Sequence, residues 1–392
     1  MPHPPLISDR AQSLQPSLTL AISAKAKNLS SKGKDICSLS AGEPDFQTPN
    51  FIVEAAIKAL KDGFTRYGPA AGDPALRQAV AEKLNTKNKI KCNQENILIT
   101  NGGKQAIYNL FQVLLNPGDE VIIPSPYWLS YPEIAKLAGA KPILVKTSSE
   151  NGFEIDIKEL HSNINKKTRM IIINSPSNPT GNVLSKEVLE SLAEILRKNK
   201  DVYIMSDEIY EYIIEKDVKH YSLASLAPDI SDRIITVNGF AKAWAMTGWR
   251  IGYLCAHNEI VKAATALQSQ STSNVCSFSQ RGALAALLGP EDCIVEMAQK
   301  YNIRRKILFE GLKSIPGFEL KYPKGAFYTF PRLPSKVANS MVFCDQALEQ
   351  VGLAIVPGIA FGEDRFIRLS CAVSSENIQE GIRRLKRFID II

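Results

Sequence analysis

Short runs of β-branched and aliphatic residues alternate along the chain with segments that pattern as helices. The runs are Ile97-Leu98-Ile99-Thr100, Glu120-Val121-Ile122-Ile123-Pro124, Met170-Ile171-Ile172-Ile173, Val202-Tyr203-Ile204-Met205-Ser206, Arg233-Ile234-Ile235-Thr236-Val237 and Ile251-Gly252-Tyr253-Leu254-Cys255. The third is wholly apolar, as a strand buried on both faces should be. Helices are predicted from Lys104 to Leu115, Tyr131 to Ala138 and Lys186 to Lys198. This rhythm predicts an α/β fold with a mostly parallel sheet between helices.

The flanks read differently. A loose N-terminal arm leads into a helix from Thr19 to Leu29, a short strand at Ile36-Cys37-Ser38-Leu39, and the turn Ser40-Ala41-Gly42-Glu43-Pro44-Asp45. A helix from Asn50 to Asp62 takes Asn50 as its N-cap, and Asp73 starts another with Pro74 at its first position. A long helical stretch from Val261 to Leu288 ends at Gly289-Pro290. A long helix from Glu291 to Ser314 and shorter elements follow. We expect a large domain over residues 49–288, and a smaller α+β domain formed by 1–48 with the N-terminal arm and 289–392.

Composition adds mainly exclusions. The 392 residues are 45% hydrophobic and 22% charged, ordinary for a globular chain. The net charge of +7 is spread without a basic block, so neither nucleic acid nor membrane is indicated as a partner. Seven isolated cysteines and four scattered histidines signal no disulfide framework and no metal site. Reduced thiols and the lack of a signal-peptide pattern lead us to expect a cytoplasmic protein.

The candidate chemistry centres on Lys242. It lies just past the strand ending at Val237, in Asn238-Gly239-Phe240-Ala241-Lys242-Ala243-Trp244, with Arg250 nearby. Crowding and a neighbouring cation lower a lysine pKa, and a neutral amine can form a Schiff base. Other stretches supply what a Schiff-base cofactor such as pyridoxal phosphate requires. Asp207 ends a buried strand, where open α/β sheets bind ligands, although taken alone the position reads more readily as a helix N-cap. Asn101-Gly102-Gly103-Lys104-Gln105 joins a strand to a helix and can present N–H groups to a phosphate. Arg250 and the Tyr67 hydroxyl can complete that cradle. Trp128, in Pro124-Ser125-Pro126-Tyr127-Trp128, offers a stacking face or simply core. Asn178, in Asn174-Ser175-Pro176-Ser177-Asn178-Pro179, can donate to the cofactor or belong to an ordinary turn. Arg368 sits inside the apolar Phe366-Ile367-Arg368-Leu369-Ser370 and needs a partner, either a substrate carboxylate or a structural acid.

Together these stretches resemble the fold-type I, class I aminotransferases dependent on pyridoxal phosphate. The match lies in Ser40-Ala41-Gly42-Glu43-Pro44-Asp45-Phe46, Tyr67, Asn178-Pro179-Thr180-Gly181, Ser206-Asp207-Glu208-Ile209-Tyr210, Lys242 with Arg250, and Arg368. Within that family it looks most like the bacterial-type aspartate aminotransferases, through Gly102-Gly103-Lys104-Gln105-Ala106, Ser125-Pro126-Tyr127-Trp128 and Ala243-Trp244-Ala245-Met246-Thr247-Gly248-Trp249-Arg250. The resemblance implies a large domain with a mostly parallel seven-stranded sheet between helices. It implies that Lys242 holds the cofactor as a Schiff base and later moves the Cα proton. Asp207 would pair with the ring nitrogen, Asn178 and Tyr210 with the phenolic oxygen, and Trp128 would stack on the ring. Gly103, Lys104, Gln105 and Arg250 would take the phosphate. Tyr67 would reach it from the other subunit of a homodimer with shared sites. Gly42 and Arg368 would bind the substrate α-carboxylate, with Trp128 and Asn178 beside it. Lys104, Ser17 and Thr19 would meet a distal carboxylate. Ser125-Pro126 and Asn178-Pro179 resemble the family's cis bonds. One departure is Ala241, where many class I members carry a phosphate-binding serine.

The expected reaction is ping-pong amino transfer from L-aspartate to 2-oxoglutarate, both small molecules. A dual aspartate/prephenate enzyme is the next reading, followed by another aminotransferase or a carbon–sulfur lyase on the same fold. A regulator's sensing domain is disfavoured, because the Gly42 motif starts too early to leave room for a DNA-binding domain. A ligand-binding α/β protein without the cofactor is the remaining alternative.

Overall fold

A computed structural model describes residues 6–392. Its main sheet has seven strands. In chain order they are β2 (Ile97–Thr100), β3 (Glu120–Ser125), β4 (Lys141–Lys146), β5 (Thr168–Asn174), β6 (Tyr203–Asp207), β7 (Ile234–Gly239) and β8 (Gly252–Cys255), after the short β1 (Cys37–Ser38). They lie side by side as β2-β8-β7-β6-β5-β3-β4. All pairings are parallel except those of β8, which runs antiparallel to β2 and β7. The family-type sheet expected from the sequence is therefore present.

The strand missing from the hydrophobic pattern is β4. It lies at the sheet edge, and of Lys141-Pro142-Ile143-Leu144-Val145-Lys146 only Val145 is fully buried. An edge strand needs no two-faced apolar run, so its sequence carries a weak signal. Central β5 and β6 are almost entirely buried. One core packs on each sheet face: one includes Ile99, Ile171, Ile173 and Ile204, the other Leu98, Ile172, Met205 and Val237.

A separate core surrounds Tyr301, Leu308, Phe327, Phe343, Leu369 and Phe388. It includes a three-stranded antiparallel sheet of β11 (Val356–Pro357), β12 (Ile367–Ser370) and β9 (Tyr328–Thr329). Here β1 pairs in parallel with β10 (Leu353–Ala354), so the N-terminal segment crosses to the C-terminal one.

Local signals mostly held, with two corrections. Asn50 does not cap its helix: Pro49 occupies the cap position, and Asn50 opens the helix Asn50–Lys61. The long helical stretch is two helices, Asn258–Ser271 and Ser277–Leu288, broken where Ser273 takes φ +59°. Asp73 caps its helix with Pro74 first, as expected. Cis bonds occur at Ser125-Pro126, Ser175-Pro176 and Asn178-Pro179.

Candidate active site

The parallel strands β5 and β6, with β7, end on one side of a cavity of about 710 Å³. Lys242, Asp207, Tyr210, Asn178, Arg368, Trp128, Gly103, Lys104, Arg250, Gly42 and Thr19 all line it. Residues from eight separate stretches thus converge at the carboxyl ends of the strands, where open α/β sheets bind ligands.

Lys242 follows β7 by three residues, and its Nζ donates to the Gly42 carbonyl at 2.6 Å. Burial lowers its pKa to about 8. The Glu43 charge opposes that shift, and the Arg368 and Arg250 cations reinforce it. Roughly a tenth of the amine is therefore neutral at pH 7, against less than a thousandth for an ordinary lysine.

Asp207 is the last residue of β6, and no helix follows it, which removes the capping alternative. Its Oδ2 accepts from the Tyr131 hydroxyl at 2.7 Å, and Oδ1 accepts only a 3.3 Å bond from the Ile209 N–H. Burial pushes its pKa up to about 6, against these two hydrogen bonds, and the Glu208 charge adds to the rise. Among the described residues no cation bonds this buried carboxylate.

Arg368 stands on β12 and is 3% exposed. Among the described residues no acid pairs with it. Its Nη1 donates to Asn178 Oδ1 and its Nη2 to the Ser40 carbonyl, each at 3.0 Å, and Nε has no partner. The Tyr328 ring lies 4.4 Å from the guanidinium carbon. The structural-acid alternative is thus absent, and a buried cation faces the cavity.

The Gly102-Gly103 turn has its own steric logic. Gly102 takes φ +78°, and a Cβ there would meet Arg250 Nη2 at 2.5 Å. A Cβ on Gly252 would lie 2.5 Å from Gly102 C and Gly103 N, so β8 passes directly beneath the turn. Arg250 is held by the Thr247 and Asn101 carbonyls at 2.9 and 3.2 Å. Lys104 Nζ sits 4.9 Å from the Trp128 ring centre. Burial lowers its pKa, and nearby Arg250 adds to that. Two cations beside a glycine turn at a helix start suit a phosphate.

Three expected residues stand differently. Gln105 turns away from the cavity: its Oε1 accepts from the Asn101 N–H at 2.7 Å and its Nε2 donates to Thr272 at 2.8 Å, bracing the turn. Ser17 caps the helix Leu18–Ser31 and bonds Thr19 at 2.9 Å without lining the cavity. Tyr67 is 94% exposed and lies beside a second cavity with Phe64 and Arg281, apart from its own chain's Lys242.

Sequence reasoning missed Tyr131 and Tyr328. In the sequence Tyr131 marks only a helix start, yet it lies three residues, one turn, after Trp128, and the rings meet edge to face at 5.3 Å. That spacing was a usable signal. Tyr328, whose hydroxyl lies 3.0 Å from that of Tyr210, had none, because its neighbours come from distant segments.

The expected pyridoxal phosphate fits this residue set on three observations. Among the described residues no cation bonds Asp207 and no acceptor meets Arg368 Nε, and the missing Cβ at Gly102 lets the Arg250 guanidinium lie against the phosphate-type turn.

Comparison with known proteins agrees. The family model "Aminotransferase class I and II" matches residues 34–385. A relative from Rickettsia conorii, "Probable aspartate/prephenate aminotransferase", is 46% identical over 99% of both chains. The "Aspartate aminotransferase" of Bacillus subtilis is 44% identical over 98% of this chain and 99% of its own. The solved aspartate aminotransferase of Thermus thermophilus with maleate superposes with a TM-score of 0.94 at 42% identity. It covers 97% of this chain and 99% of that one.

Proposed function

The chain belongs to the class I and II aminotransferases, and from that premise we propose that it transfers the amino group of L-aspartate to 2-oxoglutarate, yielding oxaloacetate and L-glutamate. The observation that carries this reading is the acid-free, buried Arg368 facing the same cavity as a lysine of lowered pKa. Pyridoxal phosphate, when bound, supplies the electron sink for the pair left on Cα.

The chain's own groups do the rest. Arg368 and Asn178 hold the substrate α-carboxylate beside Gly42. Lys242 would hold the cofactor through its amine, and that amine, when neutral and free, would carry the proton at the substrate Cα. Asp207 would balance the charge of a protonated ring nitrogen, with Tyr131 fixing its second oxygen. Tyr210 and Asn178 would serve the phenolic oxygen, and Trp128 would offer its face to the ring. Gly103, Lys104 and Arg250 would take the phosphate, braced by Gln105, and Tyr67 would reach it from the second subunit of a homodimer. Thr19 and Lys104 meet the distal carboxylate, with Ser17 fixing Thr19. We place the enzyme in the cytoplasm, with its smaller domain formed by residues 1–48 and 289–392. The naming of the Rickettsia relative favours prephenate as a second substrate.

The test is the visible spectrum of purified protein before and after L-aspartate alone. We expect a yellow protein that bleaches as oxaloacetate appears. A colourless protein that cannot be reconstituted with pyridoxal phosphate overturns the reading. A yellow protein inert to aspartate overturns the donor only.

The lysine pKa yields a further expectation. Covalent capture of added pyridoxal phosphate by the apo-protein speeds up as pH rises to about 8, where half of Lys242 is neutral, and levels off above it. Stopped-flow capture rates still climbing tenfold per pH unit above pH ~9, as for an ordinary lysine, would contradict it.

A further inference from the structure

Behind the cavity, on the other side of the turn that follows β6, lies a buried cluster of charges. Glu208 Oε1 accepts from Ser206 at 2.9 Å, and Oε2 accepts from Ser222 at 2.5 Å and faces His220 Nε2 at 3.2 Å. Glu211 pairs with Lys83 and accepts from Asn88 at 2.6 Å and Asn238 at 2.7 Å. The side chains of Glu208, Glu211, Lys83 and His220 are at most 9% exposed. Ligand atoms of Glu208, Glu211 and His220 lie within 4.8 Å of one another, but Lys83 already supplies a cation to that group.

We propose, on the functional reading above, that protonated His220 is a positioning residue that completes a neutral two-by-two charge cluster gripping the rear of the catalytic turn. Two carboxylates against Lys83 leave one buried negative charge, and a protonated imidazole cancels it. A buried charge without its counterpart is strongly destabilising. Glu208 and Glu211 alternate with Asp207 and Tyr210 along the same turn. The first pair faces the cluster and the second the cavity. The turn is closed by the Glu211 N–H on the Glu208 carbonyl at 3.0 Å. Asn238, held by Glu211, lies on β7 four residues before Lys242. The cluster thus ties together the supports of three cavity-facing groups.

The charged groups facing His220 are Glu208 from the end of β6, Glu211 from the turn and Lys83 from the helix Pro74–Lys83. Burial lowers the imidazole pKa, but the hydrogen bond and charge of Glu208, with Glu211, outweigh it and raise the value. A raised histidine contributes stability fully present below its unfolded pKa of about 6.5, lost as pH rises through the folded value.

The experiment uses the full chain and compares H220Q with E208Q/H220Q. Histidine NMR of the apo-protein is expected to show a resonance, absent from H220Q, that titrates above pH ~6.5. The melting-temperature gap between parent and H220Q is expected to be widest below that pH and to close as pH rises, with the double variant recovering at low pH. In cofactor-loaded protein at pH ~6, H220Q lowers kcat about tenfold with KM for aspartate nearly unchanged. An imidazole titrating at or below its ordinary value, or a gap that is constant with pH, overturns the proposal. Failure of all variants and parent to bind pyridoxal phosphate sinks the functional reading instead, while the apo measurements still decide this one.

Discussion

Lys242→Ala is expected to lower kcat with L-aspartate and 2-oxoglutarate by at least about 10³-fold, because it removes both the Schiff-base amine and the proton carrier. The fold survives the change. Lys242 makes one hydrogen bond, to the Gly42 carbonyl, and its lowered pKa reports an environment that resists its charge. The melting temperature therefore stays level with the parent or rises slightly. Pyridoxal phosphate is still expected to bind without a covalent link, through the Gly102-Gly103 turn, Lys104, Arg250 and Asp207. Coupled assay of oxaloacetate, with equilibrium dialysis for the cofactor, reads both outcomes. Turnover within tenfold of the parent would remove Lys242 from the chemistry.

Arg368→Leu acts on binding. A fork bonding a carboxylate in a buried site is worth about 2–5 kcal/mol on truncation, or roughly 30- to 5,000-fold in kcat/KM. The loss is expected for both L-aspartate and 2-oxoglutarate, because both present the same α-carboxylate. The variant also leaves Asn178 Oδ1 and the Ser40 carbonyl without their donor, which costs about 1–3 kcal/mol of stability. Arg368→Lys separates the two effects: it restores charge but not the two-pronged geometry, so affinity recovers only in part. Unchanged affinity for both substrates in a folded Arg368→Leu protein would refute the assignment.

Much of this site was legible because chemistry placed at strand ends leaves local marks. Asp207 ends an apolar run, Lys242 follows one, and the Gly102-Gly103 turn joins a strand to a helix. Arg368 was conspicuous as a charge within Phe366-Ile367-Arg368-Leu369-Ser370. What could not be read was orientation. Gln105 adjoins two cavity residues yet braces the turn from outside, because a helix rotates each successive residue by about 100°. Edge strand β4 escaped notice because only one of its residues needs full burial.

The sequence by itself determined the alternation of buried strands and helices, most of the candidate side chains that line the cavity, and their order along the chain. These follow from short-range rules: hydrophobic period, turn chemistry and the few residue types able to bond or charge a ligand. Only the tertiary structure decided which charges meet. Arg368 finds Asn178 and Ser40 across 190 and 328 residues rather than an acid. Asp207 finds Tyr131, 76 residues away, and Glu208 faces His220 behind the turn. Such pairings have no local signature, because electrostatic partners are set by distance in the folded interior, and residues adjacent in sequence can face opposite sides of one turn.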